Sequence, residues 1–323
     1  MAEYKGIKGF KVQYLSADPS DPIIGQTWYN STSKDLKYTG ATAAGAWATG
    51  NPLNTARYAL AEAGTQTAAL AFGGQPVTGA TEEYDGSTWT ASGSLNTSRA
   101  YLAGAGTQTA GLAFGGDIPP LTGATEEYDG STWTSNPTGL NTARQQPEGA
   151  GTQTAALGFG GYTGTANTGA TEEYDGSTWT TSPASLNTAR RGLAGAGTQT
   201  AALAFGGTAP GFTGATEEYD GNSWATSPGS LNTARENLAG CGTQTAGLAF
   251  GGNLPGPAVT GATEEYDGTS WTTSPASLAT AREVLGGCGT QTAGLAFGGS
   301  GPTGATEEWL GAGSATAKTI TVS

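Results

Sequence analysis

Twelve glutamates occur as six Glu-Glu pairs, at 82-83, 126-127, 172-173, 217-218, 264-265 and 307-308, and the first five pairs run into Tyr-Asp-Gly. With those five aspartates they make up 17 of the 26 acidic residues. Carboxylates arranged in a ring can bind calcium, and a carboxylate pair can serve as general acid and base when its members sit in unlike environments. Six equivalent copies offer no such difference. The expected role is therefore structural: one glutamate of each pair meets a repeated arginine between neighbouring units, the other is solvated, and Asp-Gly makes a tight turn. Histidine is absent, which excludes imidazole-based triads, metal ligands and pH switches. Cys241 and Cys288 are too few for a zinc site or a disulfide framework. They occupy a slot filled elsewhere by Ala63, Ala105, Ala150 and Ala196, so small apolar filler is expected, with a bridge between them as the alternative. No catalytic residue, metal or cofactor is expected, and the chain reads as a non-enzyme.

The balance of residue types narrows the partners. Of 323 residues, 55 are glycine and 15 proline, yet only 12% are charged, which argues against charge-driven disorder and for many short strands and turns. A net charge of −13 leaves no basic surface for a run of phosphates, so nucleic acid is excluded as a partner. Neither a signal-peptide pattern nor an 18-residue apolar stretch occurs. The expectation is a soluble chain made in a cytoplasm, with no membrane insertion.

One block recurs through the sequence. Gly-Thr-Gln-Thr-Ala begins at Gly64, Gly106, Gly151, Gly197, Gly242 and Gly289, in units that start near residues 53, 95, 140, 186, 231 and 278. Each unit opens with a segment ending in Arg57, Arg99, Arg144, Arg190, Arg235 or Arg282. A small-residue stretch, the GTQTA turn, an apolar run closing in Phe-Gly-Gly, a variable loop, the glutamate pair and a tryptophan follow. In the second copy this predicts strands over Ala100 to Ala105, Thr109 to Phe114, Ala124 to Tyr128 and around Trp133. Alternation places Ala110, Leu112 and Phe114 on one face and Gly111 and Ala113 on the other. No unit of this size can bury both faces alone, so the units must stack, and closing them in a ring removes the exposed ends. The predicted fold is all-β: a six-bladed β-propeller over residues 38 to 323, with the Gly/Ala-rich first strands innermost. A linear solenoid is the alternative, and it would need polar caps.

The order of arginine, small-residue strand, Gly-Gly doublet (Gly73-Gly74 in the first copy), Tyr84 and Trp89 resembles the kelch repeat of β-propellers. All six units carry it. The last copy departs, with Trp309-Leu310-Gly311 in place of Tyr-Asp-Gly, so its outer strand must come from elsewhere. The candidates are Ala46 to Thr49 around Trp47, which is preferred, and Thr316 to Val322; either ties the two ends of the chain together, as the kelch resemblance implies. The Asp85-Gly86 hairpin is also similar to the Asp box of sialidases, but the spacing differs and no arginine triad is available. The copper site of galactose oxidase, another kelch-type propeller, needs histidines that this chain lacks.

Strands that alternate in direction put the GTQ and Asp-Gly turns on one face and the loops after Phe-Gly-Gly on the other, with the connections between units. The first face is nearly identical in every copy, whereas the second differs. Val77, Ile118, Pro119, Leu121, Tyr162, Phe212, Leu254 and Val259 stand there without an obvious packing need, and are the candidate binding residues.

Residues 1 to 37 lie outside the repeat and carry five of the six lysines. Gln26 to Asn30 reads as a strand followed by a hairpin turn from Ser31 to Asp35. The GQTWYN and LKY patterns, with the C-terminal KTITVS, resemble the ends of tail-associated bacteriophage proteins. That resemblance implies a tail fibre or related virion appendage. Its N-terminal arm would dock on other virion proteins, and its loops would meet a host glycan or surface protein. It also implies a homo-oligomer, although no heptad pattern supports a trimer. A structural or decorating virion protein, and a cellular kelch-type module or sugar-binding lectin, are the alternatives.

Overall fold

The structure, a computed structural model, describes residues 12–19, 25–41, 45–312 and 315–319. Among these residues every regular element is a β-strand, and the strands form seven four-stranded sheets.

The first repeat shows why the sequence folds this way. Strands β5 (Ala61–Thr65) and β6 (Ala68–Phe72) pair antiparallel across the GTQ turn. There Gly64 has φ +102°, and a Cβ on it would lie 2.1 Å from the Ala68 carbonyl oxygen, so only glycine fits. Strands β7 (Thr81–Tyr84) and β8 (Trp89–Ser92) are joined by a turn in which Asp85 Oδ1 accepts the backbone N–H groups of Ser87 and Thr88 at 2.8 and 2.7 Å. The expected Asp-Gly turn is thus stabilised by the aspartate side chain itself. The same four-strand order recurs in the next four repeats.

The sixth repeat sheet contains Gly286–Thr290, Ala293–Phe297 and Thr306–Leu310, and its fourth strand is β4 (Ala46–Gly50), the strand of Trp47. The other candidate lies elsewhere. Ala315–Thr319 pairs antiparallel with β3 (Asp35–Ala41) in the seventh sheet, which also holds β2 (Thr27–Asn30) and, parallel to β2, β1 (Gln13–Leu15). Val322, at the far end of the expected C-terminal strand, lies outside the described residues. Within the seventh sheet Asp18 accepts hydrogen bonds from Trp28 Nε1 (3.0 Å) and Asn30 Nδ2 (2.7 Å) and pairs with Lys37 (2.6 Å). These contacts, the lysine first, lower its pKa to about 2. The chain divides into two compact units, residues 47–309 and residues 1–46 with 310–323.

Inside the larger unit, the wide face of each repeat sheet packs on the small-residue face of the next. Leu112 and Phe114 of the second repeat cluster with Ala156, Tyr174 and Trp179 of the third. On its other side Ala113 joins Leu70 and Phe72 of the first. Trp133, Trp179, Trp224 and Trp271 therefore stack on the phenylalanine of the repeat before, as Trp133 does on Phe72 at 4.8 Å between ring centroids, and Trp89 stacks on Phe297 of the last repeat. The first strands lie side by side, and that of the last repeat lies against β5. Their approach is so close that a Cβ on Gly104 would meet the Glu62 carbonyl oxygen at 2.1 Å. The arrangement is propeller-like.

Strand boundaries in the second repeat differ from expectation by at most two residues, except at the start of its first strand, where the difference is larger. The first strand of the second repeat begins at Ala103, not Ala100, because Tyr101 takes a left-handed φ of 54° and turns the chain out of the ladder. Ala100 instead bridges to Asp117 in the variable loop.

Candidate binding face

The paired glutamates make structural contacts, with two changes to the expected arrangement: the arginine that meets the first glutamate belongs to the same repeat, not to a neighbouring unit, and the second glutamate is not solvated. The first of each pair lies opposite the repeat arginine in a fully buried ion pair, as in Arg144–Glu172 at 2.9 Å, with 0% and 1% side-chain exposure. Glu172 Oε2 also accepts the Asn141 backbone N–H at 2.6 Å, so the carboxylate fastens the LNTAR segment to its own sheet. Burial lowers the pKa of all six arginines, that of Arg99 to about 10, which still leaves the guanidinium charged at neutral pH. The second glutamate, expected in solvent, is half-buried and accepts the phenol of the next repeat. Tyr84 donates to Glu308 (2.5 Å), Tyr219 to Glu173 (2.7 Å), and Tyr128 and Tyr174 donate to Glu83 and Glu127. Burial, then the glutamate, pushes the Tyr128 pKa up to about 12. Among the described residues no group of three or more His, Cys, Asp or Glu is placed to hold a metal ion.

A central channel of about 290 Å³ is lined by the first strands of all six repeats. Two carboxylates break its Gly/Ala lining. Glu62 stands where other copies carry glycine, and Glu148 where they carry alanine or, at Gly286, glycine. Glu148 is accommodated because Gly195 opposite has no side chain; a Cβ there would sit 2.7 Å from Glu148 Cγ. Burial raises the Glu62 pKa to about 8 despite a hydrogen bond from the Gly287 backbone. Burial and the charge of Glu62 push Glu148 well above the ordinary carboxylate range. Cys241 and Cys288 are free and buried, so no bridge joins them. Their thiols lie near the Thr290 and Thr65 carbonyls at 3.6 and 3.5 Å.

On the opposite side from the GTQ turns, each variable loop is bridged to the residue after the repeat arginine, as in Tyr58 with Gln75 and Gln145 with Tyr162. The eight candidate binding residues all lie in these loops. Val77 (49%), Val259 (39%) and Pro119 are exposed, whereas Ile118, Leu121, Tyr162, Phe212 and Leu254 are half-buried. Tyr162 carries the Arg191 guanidinium 5.0 Å from its ring centroid. Asn167 Nδ2 donates to Thr208 O at 3.0 Å, joining the third loop to the fourth. A Cβ on Gly164 would lie 3.4 Å from Leu121, which places the second loop beside the third. The loops thus form a linked rim, and none of the eight residues lines the two central cavities.

Sequence reasoning missed the centre of this face. A second cavity, about 80 Å³, opens among Ala59, Tyr101, Gln146, Gly192, Asn237 and Val284. Each stands two residues after a repeat arginine, and all six differ. The within-chain comparison that singled out the loops could have found them, since the arginine two residues earlier is constant and the residue that follows is leucine in five of the six copies. The position falls beside the small-residue segment that precedes the GTQ turn, where its variation is easily hidden. Gln146 Nε2 donates to Asn237 Oδ1 at 2.9 Å across the opening. Burial raises the Tyr101 pKa, with Tyr58, Glu283 and Asp117 adding to the shift. Compared with known proteins, the chain matches no family model and no curated protein.

Proposed function

We propose that this chain is a non-enzymatic recognition protein, a six-bladed kelch-like propeller that binds its target through the variable-loop face. The observation that carries the reading is the contrast between the two faces. On one, Gln66, Gln108, Gln153, Gln199, Gln244 and Gln291 all perform the same bonding role toward the preceding sheet. On the other, the loops run from three to seven residues and no two share a sequence, although the scaffold beneath repeats. A scaffold held constant under a changing surface is what target recognition requires. Ring closure is supported by Gln66 of the first repeat, whose Nε2 reaches Trp309 O of the last at 2.7 Å.

The biological setting we propose is a bacteriophage virion, with the chain as a tail fibre or tail-associated appendage. Its N-terminal segment docks on the particle and the loops meet a host-surface glycan or protein. This part rests on the likeness of the two ends of the chain to tail-associated proteins. The test is twofold. Co-sedimentation with purified particles checks the virion setting, and blocking of adsorption by the isolated protein checks recognition. Replacing the exposed Val77, Pro119 and Val259 by serine should abolish blocking while the melting temperature shifts little, since each surface substitution changes stability by about 0.5 kcal/mol or less. Particle association without blocking would favour a decorating role, and glycan binding without particle association a cellular lectin.

A further inference from the structure

The six residues around the central mouth share a backbone anomaly. Ala59, Tyr101, Gln146, Asn237 and Val284 have φ between 51° and 54°, and Gly192 has 59°. This left-handed region is disfavoured for every residue with a Cβ, and a β-branched residue such as Val284 is an outlier there. The chain otherwise uses glycine for such positions. Apart from this ring, Lys34 is the only non-glycine residue with positive φ among those described. The backbone accounts for the conformation but not for the side chains. Tyr101 N donates to Ala59 O (2.8 Å), Gln146 N to Tyr101 O (2.8 Å), Asn237 N to Gly192 O (2.7 Å), Val284 N to Asn237 O (2.8 Å) and Ala59 N to Val284 O (3.0 Å). Glycine would make the same bonds without strain. Five positions nevertheless retain a side chain at a cost in backbone strain, and strain kept in this way points to a functional site.

The chemistry of the mouth selects a ligand. One side is polar: the Gln146 and Asn237 amides are hydrogen-bonded to each other, and Asn237 Nδ2 lies 3.4 Å from Glu283 Oε2. The other side is apolar, formed by Ala59, Val284 and the Tyr101 ring. Below them Leu60, Leu102, Pro147, Leu238 and Leu285 form a floor shared with the central channel. About 80 Å³ is well below a drug-sized pocket of 300 Å³ or more, so the mouth takes one small ring, not a helix or a long chain. The carboxylates of Glu283 and Asp117 near Tyr101 disfavour an anion. A pyranose has an apolar C–H face for the tyrosine ring and hydroxyls for the amides and Glu283.

We infer that the mouth is a binding site for the terminal residue of a neutral glycan, one uncharged hexopyranose or N-acetylhexosamine. The inference rests on the recognition reading above and adds to the rim loops a specific site at the centre of the face.

The test uses the full chain and a panel of free glucose, galactose, mannose, N-acetylglucosamine and N-acetylgalactosamine, with N-acetylneuraminic acid as the anionic control. Binding is read by saturation-transfer NMR and calorimetry. At least one neutral sugar should bind saturably and the anion should not. Tyr101→Gly, Gln146→Gly and Asn237→Gly should each weaken that binding tenfold or more while leaving the melting temperature equal or higher, because glycine suits the left-handed φ. A side chain held only for packing would give the opposite, a lower melting temperature with sugar binding intact. The proposal is overturned if no neutral sugar binds, if binding survives all three glycine variants, or if those variants melt lower than the parent. Adsorption blocking that depends on the rim loops, without sugar binding, would overturn this inference and leave the recognition reading standing. Sugar binding at the mouth without particle association would do the reverse to the virion setting.

Discussion

The indole Nε1 of Trp47 donates to Thr263 Oγ1 at 2.8 Å, across 216 residues of sequence. It is the bond that Trp89, Trp133, Trp179, Trp224 and Trp271 make to Thr306, Thr81, Thr125, Thr171 and Thr216. Trp47 also stacks on Phe250 at 5.0 Å and on Trp309 at 5.3 Å, as the other tryptophans do on a phenylalanine and a tyrosine. The strand nearest the start of the larger unit therefore completes the sheet at its end.

Trp47 is partly buried, so Trp47→Ala should destabilise the protein by about 2–3 kcal/mol, less than the roughly 3–5 kcal/mol that removing a fully buried aromatic ring costs. Trp47→Phe should cost less, since it keeps the stacking and loses one hydrogen bond. Urea unfolding followed by circular dichroism measures both. If Trp47→Ala costs under 1 kcal/mol, the strand does not hold the sheet.

The buried ion pairs make a second prediction. Arg144→Met alone should leave Glu172 uncompensated and cost about 3–5 kcal/mol, and Glu172→Leu alone should do likewise to the arginine. Combined, the two apolar substitutions should cost less than either single change. A double-mutant cycle in denaturant reads the coupling directly.

The channel carboxylates predict how stability varies with pH. Glu62 titrates near 4.5 when unfolded and about 8 when folded, so its contribution is full below pH 4.5 and is lost as pH rises toward 8. Glu148 acts in the same direction. Each can contribute a slope of at most about 1.4 kcal/mol per pH unit. The groups facing them are each other and the neutral thiols of Cys241 and Cys288, whose pKa burial raises. The turn aspartates Asp85, Asp129 and Asp175, lowered to about 2, lose their contribution only below their ordinary value of 3.8. Thermal melts between pH 5 and 8 should therefore show a decline that Glu62→Gln with Glu148→Gln removes. An unchanged slope in that double variant would falsify the assignment.

Glu265 is the second glutamate that meets no phenol, because Trp309 stands where the other repeats place tyrosine and donates instead to Gln291 O at 2.8 Å. Burial raises its pKa. Glu265→Gln should be neutral or stabilising at pH 7, whereas Glu218→Gln, which weakens the bond from Tyr266 (2.5 Å), should cost about 1 kcal/mol. Equal effects of the two substitutions in urea titrations would contradict this difference.

Local order was legible in the residues. Gly64 and Asp85 set their turns through their own chemistry, and the alternation around Leu112 fixed which side of a sheet carries bulk, because both effects act between near neighbours in the chain. The four-stranded repeat units followed from the spacing of the arginines and GTQ turns. Tertiary structure decided the rest. The second glutamates left solvent only because the next repeat brings a phenol to each of five of them. The position two residues after each arginine became a ring of left-handed residues only because neighbouring copies of it exchange backbone hydrogen bonds. Trp47 found its place only where the last sheet presented an open strand edge beside Thr263 and Phe250. Such partners lie tens to hundreds of residues apart, and what selects them is complementarity of shape and hydrogen bonding in space, which no local pattern encodes.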